Sequence, residues 1–68
     1  MKRHVPAPRI LTVKEVANYL QVSRATVLRL LKRDQLPAFK IGSDWRFNAE
    51  QIDRWRAEQE IRTPRHRN

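Results

Sequence analysis

A chain of 68 residues has room for one domain and one modest core, and its lack of cysteine excludes disulfides, thiolate metal sites and cysteine nucleophiles. Its apolar runs never exceed two residues, as at Leu30–Leu31, so no segment reads as a signal peptide or a membrane span. Fifteen Lys and Arg against seven Asp and Glu leave a formal charge of +8, which points to a polyanionic partner.

That charge is unevenly placed. Lys2, Arg3 and Arg9 make residues 1–9 a basic N-terminal arm, whose two prolines and lack of apolar periodicity predict a mobile segment. Arg62, Arg65 and Arg67 make residues 62–68 a similar tail, with Pro64 ending any helix before it. Between the arms, residues 10–61 read as one folded domain. Within it, Arg24, Arg29, Lys32, Arg33, Lys40 and Arg46 face only Asp34 and Asp44, whereas in the last helix Glu50, Asp53, Glu58 and Glu60 outnumber Arg54 and Arg56.

The first predicted helix starts at Thr12, whose hydroxyl can cap while Glu15 reaches back three residues later. Val13, Val16, Ala17 and Leu20 give it one apolar face, and it ends near Gln21. A second cap at Ser23 opens a helix from Arg24 to about Arg33, with Val27, Leu30 and Leu31 inward. Pro37 forbids its continuation. The stretch PAFKIGSDWRF then predicts a β-hairpin with a three-residue turn, Gly42–Ser43–Asp44. In that register Ile41 faces Trp45, Phe39 faces Phe47 and Lys40 faces Arg46. The four apolar side chains would pack on the helices, and the two cations would point outward with a phosphate between them. Asn48 with Gln51 caps a third helix, whose Ala49, Ile52 and Trp55 share one side. Trp45 and Trp55 are assigned to core packing.

Two short helices joined through about three residues, with the small Ala17 where they cross and a capped start to the second, read as a helix-turn-helix. The turn holds Gln21 where such motifs often place glycine. With the inward face assigned, Arg24, Ala25, Leu28, Arg29 and Lys32 point outward, and Ser23 and Thr26 sit at the exposed N-terminal end. An α-helix fits the major groove of B-DNA; Arg24 and Arg29 can offer a guanidinium fork to guanine, and Ser23 and Thr26 can reach phosphate or base. The expected partner is double-stranded DNA. His4 and His66 lie in the arms without partners. No paired acids, Ser/His/Asp set or phosphate-cradling glycine loop is present, so neither an enzyme, a cofactor nor a metal site is expected.

From Leu11 to Trp55 the chain resembles the excisionase-type branch of the MerR-like winged helix-turn-helix domains. The stretch LTVKEVANYLQVSRATVLRLLKRDQLPAFKIGSDWRF carries the capped first helix, the VS turn, the T-V-x-R second helix, then L-P-A, a basic residue, I-G and W-R-F. The resemblance implies a mainly α fold with a small β-hairpin: helix, helix, β-hairpin wing, helix. It implies that Ser23, Arg24, Thr26 and Arg29 read the groove and that Lys40 and Arg46 are wing contacts. It departs from the family at Asp34 and Gln35, where glycine is common. The expected function is that of an excisionase, a recombination directionality factor that binds and bends DNA at attachment sites. Its expected partners are an integrase or recombinase and further copies of itself on DNA, in the cytoplasm on the nucleoid. The close rival is a small MerR-like transcriptional regulator; a larger MerR-type dimer is disfavoured, because its long dimerisation helix has no counterpart after Ile61. A reading of another class is a basic protein-interaction module. A membrane surface is not expected, because the apolar faces are consumed by the core.

Overall fold

The computed structural model describes residues 9–63, so most of the two basic arms lies outside the described residues. The chain runs β1 (Ile10–Leu11), α1 (Val13–Leu20), α2 (Arg24–Lys32), β2 (Phe39–Ile41), β3 (Asp44–Asn48) and α3 (Ala49–Arg62). This is a winged helix-turn-helix, as the sequence predicts, with one addition. The strand β1 pairs antiparallel with β3, Leu11 opposite Phe47, so the hairpin becomes a three-stranded sheet in the order β1-β3-β2. Two residues carry too little periodicity to announce a strand.

The helix starts follow their caps. Thr12 Oγ1 accepts from the Glu15 N–H at 3.1 Å, and Glu15 Oε1 accepts from the Thr12 N–H at 2.9 Å, completing the capping box of α1. Ser23 Oγ accepts from the Thr26 N–H at 3.1 Å and opens α2. Asn48 Oδ1 accepts from the N–H groups of Glu50 and Gln51 at 2.9 and 3.3 Å and opens α3. Because Asn48 is also the last residue of β3, the wing passes into α3 without a linker.

Both exits are made without glycine. Gln21 adopts φ 59° and ψ 47°, and behind it the Val22 N–H donates to the Ala17 carbonyl at 3.0 Å. Asp34 has φ 56°; its N–H donates to the Leu31 carbonyl at 3.0 Å and that of Gln35 to the Leu30 carbonyl at 2.9 Å. These are Schellman closures, in which a left-handed residue lets the chain satisfy the last helical carbonyls and turn away. The sharp turn at Gln21 is what lets α2 cross α1 and bring Val27 onto Val16 and Ala17. Together with Leu11, Leu36, Phe47 and Ile52 these form the buried core; Trp45 and Trp55 pack against it half-exposed.

The hairpin register differs from the expected one by a single residue. Ile41 pairs with Asp44, Lys40 with Trp45 and Phe39 with Arg46, around a two-residue turn, Gly42–Ser43. Gly42 alone in this turn has positive φ, 64°. A positive φ at the first of two central residues is the type II′ arrangement, whereas a three-residue loop wants its left-handed residue last, where Asp44 stands. The shift moves Phe39 and Ile41 to the face that carries Asp44 and Arg46, where they are 38% and 61% exposed. Lys40 moves to the face of Trp45 and Phe47. The expected apolar face is therefore corrected to Trp45 and Phe47 alone, and Lys40 and Arg46 are not opposite each other.

Among the described residues, no helix is long and apolar enough to cross a membrane. None of their His, Asp and Glu side chains gather in a group of three that could hold a metal ion.

Side chains at left-handed positions carry a strain that glycine lacks. Gln21→Gly should raise stability by about 0.5–1 kcal/mol in urea unfolding, and Asp34→Gly by less, because a short polar side chain tolerates this conformation better than glutamine does.

Candidate nucleic-acid interface

The outward face of α2 begins with a short polar ladder. Ser23 Oγ, besides capping the helix, lies 3.1 Å from Thr26 Oγ1, and Thr26 Oγ1 accepts from Arg29 Nη2 at 3.1 Å. The spacing of three residues stacks these side chains along one edge of the helix. The two hydroxyls are thus engaged with each other and with Arg29, and they hold its guanidinium alongside the helix while its remaining donors stay available. Arg24, Ala25, Leu28, Arg29 and Lys32 are exposed, and Thr26 is half-buried.

Beside this face stands the wing, and two hollows lie between them. One, of about 510 Å³, is bounded by Ala25, Leu28, Arg29, Leu31 and Lys32 of α2 and by Trp45 of β3. The other, of about 390 Å³, is bounded by Thr12, Val13, Lys14, Arg24, Leu28, Ser43, Asp44, Trp45 and Arg46. Leu28 and Trp45 form the wall common to both. The nine residues expected from the sequence thus fall on α2 and the adjoining wing, but the wing's two cations serve different places.

Lys40 Nζ sits 4.9 Å from the centre of the Trp45 ring, a cation–π contact that only the observed register permits. Arg46 turns back to donate from Nη1 to the Trp45 carbonyl at 2.7 Å and lies 4.0 Å from Asp44 Oδ2. Lys40 and Arg46 therefore leave opposite faces of the hairpin, and the cross-strand pair expected to hold one phosphate is not formed. Arg46 instead shares its hollow with Lys14 and Arg24.

Lys14 was not among the residues expected from the sequence. A signal for it was present: it occupies the first turn of α1, where the helix dipole disfavours a cation, and neither Ala17 nor Asn18 offers it a charge partner. Among the described residues, Lys14, Arg24, Arg29, Lys32 and Lys40 have no carboxylate within ion-pair distance. Acids collect elsewhere. Glu15 and Asp53 line a separate hollow with Arg9, Asn18 and Tyr19, where the Tyr19 hydroxyl donates to Asp53 and ties α1 to α3. Arg56 lies 6.0 Å from the Tyr19 ring and pairs with Glu60 one turn along α3.

The corrected register reverses the sign of one expected effect. In the expected register, removing either wing cation relieves a repulsion; in the observed one, Lys40→Ala removes an attraction and should lower stability by about 0.5 kcal/mol in urea unfolding. A rise in stability would restore the like-charge pairing.

Comparison with known proteins agrees with this architecture. The family described as a helix-turn-helix domain matches residues 10–60, from β1 through the sheet and the first two helices to Glu60 of α3. In Mycobacterium tuberculosis (strain H37Rv), "Putative DNA-binding protein Rv0500A" is 41% identical over 44 residues, 65% of this chain and 56% of that protein. The protein YvgK of Bacillus subtilis (strain 168) is 34% identical over 53 residues, 78% of this chain and 17% of that protein. The chain therefore spans just over half of the one relative and about a sixth of the other. No solved structure matches it. With its two capped helices, crossing at Ala17 and flanked by a three-stranded wing, the chain belongs to the helix-turn-helix domain family.

Proposed function

We propose that this chain binds double-stranded DNA with sequence preference, laying α2 in the major groove and the wing against the neighbouring backbone. The observation that carries this reading is one continuous surface, from Lys14 through α2 to Lys40 and Arg46, with six cations and a single acid, Asp44. Like charges gathered without counter-charges weaken a small domain, and a polyanion offsets that cost by neutralising them. The name of the mycobacterial relative points the same way.

Roles follow from reach. Arg24 and Arg29 bracket the helix edge that would enter the groove, and each can present a fork to the O6 and N7 of guanine. The ladder from Ser23 through Thr26 holds Arg29 in place beforehand, which reduces the conformational entropy lost on binding. Lys14, Lys32, Lys40 and Arg46 flank that edge and suit phosphates, which position a protein without specifying sequence.

Within DNA binding, the finer reading is an excisionase that works at attachment sites beside a recombinase, supported by the resemblance from Leu11 to Trp55. The nine residues of α2 span roughly 13 Å, well under half of the ~34 Å helical repeat of DNA. One copy can therefore read only a short site. Several copies on neighbouring repeats would add their contacts and could impose a bend costing a few kcal/mol.

Three outcomes are expected. With four phosphate contacts, log K against log salt should fall with a slope of roughly −3.6, and a flat titration would end the DNA reading. Arg29→Ala should cost about 1–3 kcal/mol on the preferred sequence and little on others, whereas Lys14→Ala should weaken all sequences alike. Footprinting on a native target should show a protected tract longer than one module, filling cooperatively on bent DNA. A single short footprint on straight DNA at a promoter would favour a transcriptional regulator instead.

A further inference from the structure

The basic surface does not account for what lies at its centre. Leu28 stands in the middle of the outward face of α2 and is 45% exposed, with Ala25 one turn before it, also exposed. Behind them the half-buried Leu31 and Trp45 continue the same apolar surface into the larger hollow, which no acid lines. Arg29 and Lys32 flank this floor, and Lys40 covers part of the Trp45 ring. A leucine exposed beside an indole on a helix otherwise rich in cations leaves apolar area in water that a bound surface could cover.

We propose that Ala25, Leu28 and Trp45 form a receptor for the 5-methyl group of thymine. The inference rests on the reading that α2 enters the major groove. On the major-groove edge of a base pair, thymine offers a methyl group beside its O4 acceptor, whereas adenine and guanine offer hydrogen-bonding groups and cytosine an amino group beside a C5–H, with no methyl group to fill an apolar floor. An amino group or carbonyl pressed onto this floor would lose its water and gain no partner, a loss that disfavours those bases. The methyl group loses nothing and buries the exposed face of Leu28. The surrounding cations are complementary to the phosphates that would bring a base edge this close. Leu28 is four residues beyond Arg24, about 6 Å along the helix or nearly two base-pair steps, so the thymine should lie within a few base pairs of a guanine read by Arg24 or Arg29.

The test separates this inference from DNA binding itself. The full chain is used to select duplexes from a randomised pool, and each thymine of the selected duplex is replaced singly by uracil, which removes only the methyl group. Fluorescence anisotropy then gives Kd for each duplex. At one or two fixed thymines the replacement should weaken the native protein by about fourfold. Leu28→Ala should bind the thymine and uracil duplexes alike, and Leu28→Met, which keeps an apolar contact, should retain the difference. Alanine favours the helix at this exposed position, and a thermal melt by circular dichroism checks that the fold is kept. Selected duplexes without a fixed thymine, a Kd unchanged at every replacement, or an undiminished methyl effect in Leu28→Ala would each overturn the proposal while DNA binding stood. Failure to enrich any duplex would overturn both. Methyl-insensitive binding, together with a Leu28→Ala change in the sedimentation of the protein alone, would assign the floor to a second copy of the chain.

Discussion

Phe47, wholly buried in the middle strand of the sheet, is the side chain on which the arrangement of the wing depends. Leu11 pairs across from it on one side, β2 pairs along the same strand on the other, and β3 packs on both α1 and α3. Truncating a buried Phe forfeits about 3–5 kcal/mol, comparable to the whole stability of a domain this small. Because Phe47 cannot leave the core, side-chain alternation along β3 sets the rest. Trp45 must share its face and look toward α2, while Arg46 and Asp44 must leave by the other. The wing is therefore oriented from its root, and the turn at Gly42–Ser43 decides which residues of β2 accompany each face.

The two helical exits complete this geometry at some cost in backbone strain. Gln21 and Asp34 take left-handed conformations that glycine would adopt more easily, yet the carbonyls they help to satisfy are the same ones a glycine turn would satisfy. Asp34 leads through Gln35 to Leu36, a buried side chain in the connection that anchors the route from α2 to the wing. Strain of about 1 kcal/mol per residue is tolerable here because the core contacts on either side over-determine the turns.

Charge is distributed in keeping with that frame. The acids of α3 and Glu15 lie away from the outward face of α2, with local contacts such as Tyr19 with Asp53 and Arg56 with Glu60. Among the described residues, the cations of α1, α2 and the wing meet only Asp44. Between them Leu28 and Trp45 interrupt the charge with an apolar wall. A surface of this kind combines long-range attraction for a polyanion with a short-range preference, since the cations act over about a Debye length of 8–10 Å and the apolar wall only at contact.

Local signals in the sequence were sufficient for every helix. Thr12, Ser23 and Asn48 named the starts, because a capping side chain bonds to its own next few residues and needs no tertiary partner. The 3.6-residue spacing of Val16, Leu20, Val27 and Leu30 identified the inward faces, and by exclusion the outward side of α2, which with its cap Ser23 carries seven of the nine expected site residues. What depended on contacts between distant segments was not legible. β1 exists because β3 offers it an edge, the hollow of Lys14, Arg24 and Arg46 exists because three elements converge, and Lys40 lies on Trp45 because the hairpin closes through two residues. The register could have been read from Gly42 coming first in the turn, but the pattern Phe39, Ile41, Trp45, Phe47 suggested one apolar face more strongly. Alternation within a strand depends only on the chain's own pleat and is determined by sequence; which strand face meets which, and hence which cation stands where, is settled only by pairing across the sheet, where a slip of one residue exchanges the faces.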